Sequence, residues 1–151
     1  MAKAGYTAST EGAVALTGGT AKTVLAVIAP AQFGVDLQAI KVAFDGVTSS
    51  AVPALVELVR FTSDGTGTSV TVDQAYGPAI TAGFTAKKNY SAEPTSATAI
   101  DEWLLTPDGG TLFERFPLGQ TPDTAVSVLI AIRINAPAAV NVRATMWFER
   151  T

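Results

Sequence analysis

Apolar and polar residues alternate with a period of two along most of this chain, a pattern typical of strands that bury one face. The clearest run lies near the C-terminus, where the even-numbered positions from Val126 to Ile134 are all apolar. A second apolar row runs from Val140 to Phe148, after the turn signal Asn135-Ala136-Pro137. The pattern predicts that these two segments form one long hairpin.

Clusters of Gly, Pro, Asp and Ser interrupt the alternation and divide the chain into short segments that lack helical spacing. Asp45-Gly46 and Pro107-Asp108-Gly109-Gly110 are the strongest turn signals. The pattern predicts an all-β domain, an antiparallel β-sandwich with jelly-roll or related Greek-key topology, and a closed barrel is the alternative. The eight predicted strands span residues 23–29, 37–44, 53–62, 68–73, 97–105, 111–116, 124–135 and 139–149.

The remaining segments have weaker patterns. Residues 1–20 are small and polar and are predicted to form an N-terminal arm with one short strand at Ala13–Leu16, ahead of a sandwich domain over 21–151. Residues 47–52 are predicted to be a loop. Residues 74–98 lack a clear period and are predicted to be a partner-contacting crossover with one weak strand at Ala79–Phe84. The strand 53–62 is apolar on both faces, which predicts a central position or a covering subunit.

Composition limits the possible partners. The 151 residues are enough for one domain. Only 15% of them are charged, against about 25% in ordinary domains, and the mean hydropathy is +0.31. A chain this apolar predicts a surface that other subunits cover, although Ala- and Thr-rich strands also raise the score. With a net charge of −3, no basic stripe, no membrane-spanning apolar run and no signal-peptide core, we expect neither nucleic acid nor membrane as a partner.

The chain contains neither Cys nor His. The usual zinc, copper, haem and iron–sulfur sites therefore lack their ligands, and mechanisms that need a His base or a Cys nucleophile lack their central residue. We accordingly expect no metal, no cofactor and no catalytic residue.

Two motifs resemble sites but lack the required geometry. Asp101-Glu102 beside Trp103 is similar to a glycosidase pair, but consecutive strand residues point to opposite faces. The segment Gly18–Thr23 resembles a phosphate loop, but Ala21 stands before Lys22 where the motif requires Gly. We interpret the first motif as exposed or paired acids beside a packed Trp, and the second as a turn.

Other candidate residues leave alternatives open. Charges inside strands either face solvent, pair across the sheet or form salt bridges between subunits. Aspartates at turns are favoured there without any metal. The adjacent loop residues Lys87 and Lys88 carry no motif. The strand charges are Glu57, Arg60, Asp101, Glu114, Arg115, Arg133 and Arg143, and the turn aspartates are Asp64, Asp73, Asp108 and Asp123.

A series of short motifs covers most of residues 21–149. They are Ala21-Lys22-Thr23-Val24-Leu25, Ala43-Phe44-Asp45-Gly46, Pro53-Ala54-Leu55-Val56-Glu57-Leu58-Val59-Arg60, Glu102-Trp103, Pro107-x-Gly109-Gly110, Phe116-Pro117-Leu118-Gly119 and Ala136-Pro137-Ala138-Ala139-Val140-Asn141-Val142. In this order they resemble small virion structural proteins of tailed bacteriophages and their prophages. The resemblance implies a capsid decoration (cementing) or minor head protein and carries no catalytic residues.

The resemblance therefore implies a non-enzymatic protein on the capsid exterior. It would assemble in the bacterial cytoplasm, bind the major capsid protein and form a homotrimer. The alternative function is a tail-associated receptor- or carbohydrate-binding module, in which Tyr76, Tyr90, Trp103 and Trp147 stack on sugars. Exposed, adjacent aromatic rings would favour the second function, and buried rings would count against it.

Overall fold

The architecture is an antiparallel sandwich of two six-stranded sheets, seen in a computed structural model that describes residues 3–46 and 52–151. The predicted all-β sandwich is confirmed. Sheet 1 contains β1 (Gly5–Ser9), β2 (Val14–Leu16), β4 (Val35–Phe44), β7 (Val72–Tyr76), β10 (Thr111–Arg115) and β12 (Val140–Arg150). Sheet 2 contains β3 (Ala21–Ile28), β5 (Ala54–Ser63), β6 (Thr66–Val70), β8 (Thr85–Ala92), β9 (Thr95–Leu105) and β11 (Leu129–Asn135).

The strand pairings are nested like those of one long hairpin rolled upon itself. β1 pairs with β12, β4 with β10, β5 with β9 and β6 with β8, all antiparallel. Rolling this hairpin places the run β1-β12-β4-β10 in sheet 1 and the run β3-β11-β5-β9 in sheet 2. Two facing sheets with this order are a jelly roll, the first of the two predicted topologies.

One hydrophobic core fills the space between the sheets. Its inward rows follow the predicted period of two, with Ile130, Ile132 and Ile134 of β11 facing Val142, Met146 and other residues of β12. Burial of these side chains supplies the main stabilising free energy of the fold. Because β11 and β12 belong to different sheets, the predicted long hairpin is wrong. A period of two specifies which face of a strand is buried, but it does not specify which strand pairs with it.

A second, smaller core lies on the outer face of sheet 2. After two residues on each side, the ribbon of β5 and β9 continues as the ribbon of β6 and β8, and β8 then pairs with β3. We call this ribbon, residues 54–70 and 85–105, the arch. It turns back over sheet 2 and encloses Ala26, Val59, Phe61, Tyr90, Leu129 and Ala131. Strand 53–62 is thus central, and both of its apolar faces are covered within the chain.

The N-terminal segment differs from the predicted arm. β1 lies between β12 and β7 inside sheet 1, and β2 pairs with β12 farther along. Tyr6 and Ala8 are buried in the main core, while Thr7 and Ser9 lie on the other face. The small outward residues kept the mean hydropathy low and obscured a regular period of two. The short strand predicted at Ala13–Leu16 is present as β2.

The segment 74–98 also differs from its prediction. Residues 79–84 are not a strand, and β8 forms instead at Thr85–Ala92. Asn89 has a φ of 49° within β8, so Ala86 faces the main core while Tyr90 faces the core under the arch. A left-handed residue inside a strand shifts the alternation of inward and outward side chains, so the sequence pattern did not predict this strand.

Two predicted strands are divided or shortened. The strand predicted over 68–73 is two edge strands, β6 and β7, in different sheets. The strand predicted over 124–135 begins only at Leu129, because Ser127 has a φ of 62° and Val126 is half exposed. The loop predicted over 47–52 lies outside the described residues, except for Val52.

Candidate interaction surface

The paired carboxylates Asp101 and Glu102 point to opposite faces of β9, as their adjacent positions predict. Asp101 lies opposite Leu58 of β5, and Glu102 lies opposite Glu57. The Asp101 carboxylate accepts a hydrogen bond from the backbone N–H of Glu102 at 2.8 Å. The two side chains therefore do not converge on one substrate position.

The segment Gly18–Thr23 is a turn followed by β3. Lys22 donates hydrogen bonds to the Ala15 carbonyl oxygen and to the Asn89 side chain, at 3.2 and 2.9 Å. A shallow hollow of about 170 Å³ beside it is also lined by Tyr90 and Glu93. With Lys22 held in this way, and without a helix after the turn, the segment lacks the geometry of a phosphate loop.

The turn aspartates are dispersed. Asp64 holds the arch, because it accepts hydrogen bonds from Lys87 at 2.6 Å and from the Tyr90 hydroxyl at 2.8 Å. Asp123 lies 3.7 Å from Arg60. Within residues 3–46 and 52–151, no three acidic side chains come close enough together to hold a metal ion.

The four candidate sugar-stacking aromatics do not form one surface. Tyr90 is 2% exposed under the arch, and Trp103 packs against the main core. Tyr76 is half exposed and donates a hydrogen bond to Glu149. Trp147 lies on the outer face of sheet 1, whereas Trp103 lies in sheet 2 on the face toward the main core. Its aromatic neighbour is Phe113, at 5.6 Å between ring centroids.

Three cations surround this aromatic pair. Lys41, Arg115 and Arg143 stand on the neighbouring strands β4, β10 and β12, with Lys41 opposite Phe113 and Arg115 opposite Ala39, which itself faces Trp147. All three cations are exposed, and the Arg115 guanidinium lies 5.4 Å from the Phe113 ring centroid. We call Lys41, Arg115, Arg143, Phe113 and Trp147 the basic face.

Lys41, Arg115 and Arg143 of the basic face form no hydrogen bond or salt bridge with the other described residues. The other seven of the ten Lys and Arg side chains bond to a carboxylate, a side-chain amide or a backbone carbonyl. Those contacts are Lys3–Glu149, Lys22–Asn89, Arg60–Asp123, Lys87–Asp64, Lys88–Thr10, Arg133–Glu57 and Arg150–Ala82. The unpaired positive charge is therefore concentrated on one surface.

Exposed apolar side chains also stand on and beside the edge strands β9 and β10, with Leu104 on the outer face of sheet 2 and Phe113 on the outer face of sheet 1. β9 and β10 are the edge strands of the two sheets here, joined by the turn at 106–110. Leu104 on β9 is 66% exposed, Phe113 on β10 is 49% exposed and Leu118 after β10 is 95% exposed. Apolar groups of this size on an open sheet edge are typical of an interface with another chain.

The sequence predicted the strand that contains Phe113 and Arg115 but not their role. The period of two places both residues on the same face of the predicted strand 111–116, and this was the only indication of the surface in the sequence. Their proximity to Lys41 and Trp147 arises from the pairing of β4 with β10 and with β12, which joins residues about 70 and about 110 positions apart and which the local pattern leaves undetermined.

Comparison with known proteins leaves the chain without a family. No family model and no curated protein matches it. Among solved structures, it is similar to particles derived from infectious bursal virus (12% identity, TM-score 0.27) and to the T13 particle of the same virus (15% identity, TM-score 0.25). Each match covers 97% of this chain and about 40% of the viral chain. A likeness at this level assigns neither a family nor a function.

The described residues contain strands and no helix that is long and apolar enough to cross a membrane.

Proposed function

We propose that this protein is a non-enzymatic structural component of a viral particle. More specifically, it is a tailed-bacteriophage decoration protein that binds the major capsid protein on the outside of the head and stabilises the shell. It acts as a homotrimer and assembles in the bacterial cytoplasm. The motif series from Ala21 to Val142 supports the phage assignment, since it resembles virion structural proteins of that group.

The observation that carries the proposal is the set of exposed apolar side chains on and beside the edge strands β9 and β10. Leu104, Phe113 and Leu118 project from two sheet edges that are held rigidly by one core. A surface of this kind loses unfavourable water contact when another subunit covers it. The jelly roll is compatible with this role, because viral capsid domains use the same architecture.

The proposal assigns the protein no catalytic step. Asp101 and Glu102, the acids closest to a catalytic pair, are on opposite faces of β9. Catalysis by two carboxylates requires both groups to flank one bond. We therefore assign the function of the protein to its contacts with other subunits.

Binding to capsids tests the proposal. The purified protein is added to phage heads that lack it, and co-sedimentation and electron cryo-microscopy measure its occupancy. We expect saturable binding that L118D abolishes, while the control T68D on the opposite edge of sheet 2 binds like the wild type. Heads that never acquire the protein, together with its absence from intact particles, would contradict the proposal.

A carbohydrate-binding module is the second candidate function, and the basic face favours it. Trp147 and Phe113 form an accessible aromatic pair beside three cations, an arrangement that can stack on a sugar and bind an acidic group. A glycan array decides this candidate. Specific binding that W147A removes would support it. The absence of binding to any glycan would contradict it and would leave the structural role as the remaining candidate.

A further inference from the structure

The basic face presents exposed positive charge that no described residue neutralises. Its three cations lie in consecutive rows of sheet 1, and they carry positive charge on a protein whose net charge is −3. Because seven other cations find partners within the chain, this concentration is not a general property of the surface. Complementary surfaces of opposite charge speed association and fix the orientation of the complex.

The edge strand β9 carries the matching negative charge. Asp101 and Glu102 are both exposed there, and Leu104 projects two positions beyond Glu102 on the same face. Glu102 lies directly opposite Glu57 of β5, which places two carboxylates side by side. Arg133 pairs with Glu57 at 3.1 Å, so Glu102 keeps a like-charged neighbour and has no cation of its own among the described residues.

A cation from another molecule would reduce the repulsion between the adjacent carboxylates of Glu102 and Glu57. Like charges directly opposite one another on a sheet are unfavourable, and opposite charges are favourable. A guanidinium that arrived at the open edge of β9 would approach Glu102 and Asp101 from the side where no strand is paired. The acidic edge and the basic face are thus complementary in both charge and apolar content.

We propose that the basic face of one copy binds the β9 edge of a second copy, with Arg115 and Arg143 against Glu102 and Asp101. Phe113 then packs against Leu104 of the neighbouring copy. This inference rests on the proposed function in one respect, the self-association of the chain. Because the two surfaces differ, the contact is heterologous, and successive copies form a ring such as a trimer where the rotation between neighbours closes.

Charge reversal tests the contact by sedimentation velocity over a protein concentration series. We expect R115E/R143E and D101K/E102K each to weaken self-association by at least about tenfold, since like charges would then meet across the interface. The fourfold variant that carries both reversals restores opposite charges, and we expect it to associate like the wild type. T68E/S69E adds negative charge at the far edge of sheet 2 and serves as the control.

The outcomes separate this contact from the proposed function. If both single-surface reversals remain associated like the wild type, the proposed contact is wrong while a virion role stands. A monomeric wild type also overturns the contact, and capsid binding by that monomer would keep the virion role. Loss of association in the fourfold variant, with its circular dichroism unchanged, would overturn the pairing of these two surfaces as well.

Discussion

At the scale of single residues, Tyr76 connects three parts of sheet 1. Its ring lies across the Cα of Gly5, where an added Cβ would come 2.1 Å from the ring. Its hydroxyl donates a hydrogen bond to the buried carboxylate of Glu149, which also lies 3.2 Å from the Lys3 ammonium. A residue without a side chain at position 5 is therefore required for this contact between β7 and β12.

The pKa of Tyr76 gives the first prediction. Burial, and then the hydrogen bond and charge of Glu149, raise this pKa from its ordinary value of 10.0 to about 12. The folded protein keeps a proton that the unfolded chain has already lost, so this contribution to stability is complete below the unfolded pKa and is lost as the pH rises through the folded pKa. We expect the wild type to lose stability more steeply than Y76F between about pH 10 and about pH 12.

Urea unfolding at a series of pH values measures this difference. G5A displaces the ring and is expected to behave like Y76F. Tyr90, whose pKa is also raised by burial and by Asp64, is present in every variant and contributes equally. Parallel loss of stability in the wild type and Y76F would contradict the assignment.

At the scale of elements, one carboxylate of the arch adds side-chain hydrogen bonds to the backbone pairing of β8 with β3. Glu93 accepts hydrogen bonds from the Thr23 N–H at 2.9 and 3.0 Å and from the Thr23 hydroxyl. Thr23 is fully buried, so its polar groups have no access to water. Loss of the acceptor leaves them unsatisfied in the protein interior.

We therefore expect E93A to lower the free energy of unfolding by roughly 1–3 kcal/mol. E93Q keeps one oxygen acceptor and is expected to cost less. The neighbouring exposed variant S91A is the control, since Ser91 makes only a 3.4 Å contact with the Thr66 carbonyl oxygen. Equal stability of E93A and S91A in urea denaturation would contradict a stabilising role for the Glu93–Thr23 hydrogen bonds.

The strand β1 provides a second prediction at this scale. Because it lies between β12 and β7 and buries Tyr6 and Ala8, its removal exposes the core, leaves β7 without its pairing partner and uncovers one edge of β12. We expect deletion of residues 1–9 to abolish cooperative thermal unfolding followed by circular dichroism. Deletion of residues 1–3 retains β1 and is expected to remain folded. A cooperative thermal transition of the truncated 10–151 chain would mean that this segment is a dispensable arm.

At the scale of the whole molecule, the two sheets share one core and should unfold together. Trp103 stands on β9 in sheet 2 and Trp147 on β12 in sheet 1, so W147F and W103F leave one fluorescent reporter in each sheet. We expect both reporters and circular dichroism to give the same denaturation midpoint once each variant's own stability is accounted for. Separate transitions within one variant would mean that the arch and the main core are independent units.

The sequence by itself determined the longer strands with a regular period of two and which face of each is buried, but not β1 or β8. Side chains such as Ile130, Ile132, Val142 and Met146 point inward because a pleated strand alternates its faces, and this needs no knowledge of distant residues. The turns at Asp45-Gly46 and Pro107–Gly110 follow equally from local backbone preferences. Local physics was sufficient for the sandwich as a class.

Only the tertiary structure decided which strands are neighbours. The nested pairing of β1 with β12 and of β4 with β10 joins residues more than 65 positions apart. It therefore placed β1 inside the sheet, separated β11 from β12 and closed the arch over its own small core. The same pairings assembled Phe113, Lys41 and Trp147 into one surface, because contacts across a sheet depend on register between distant strands, which alternation within a strand does not encode.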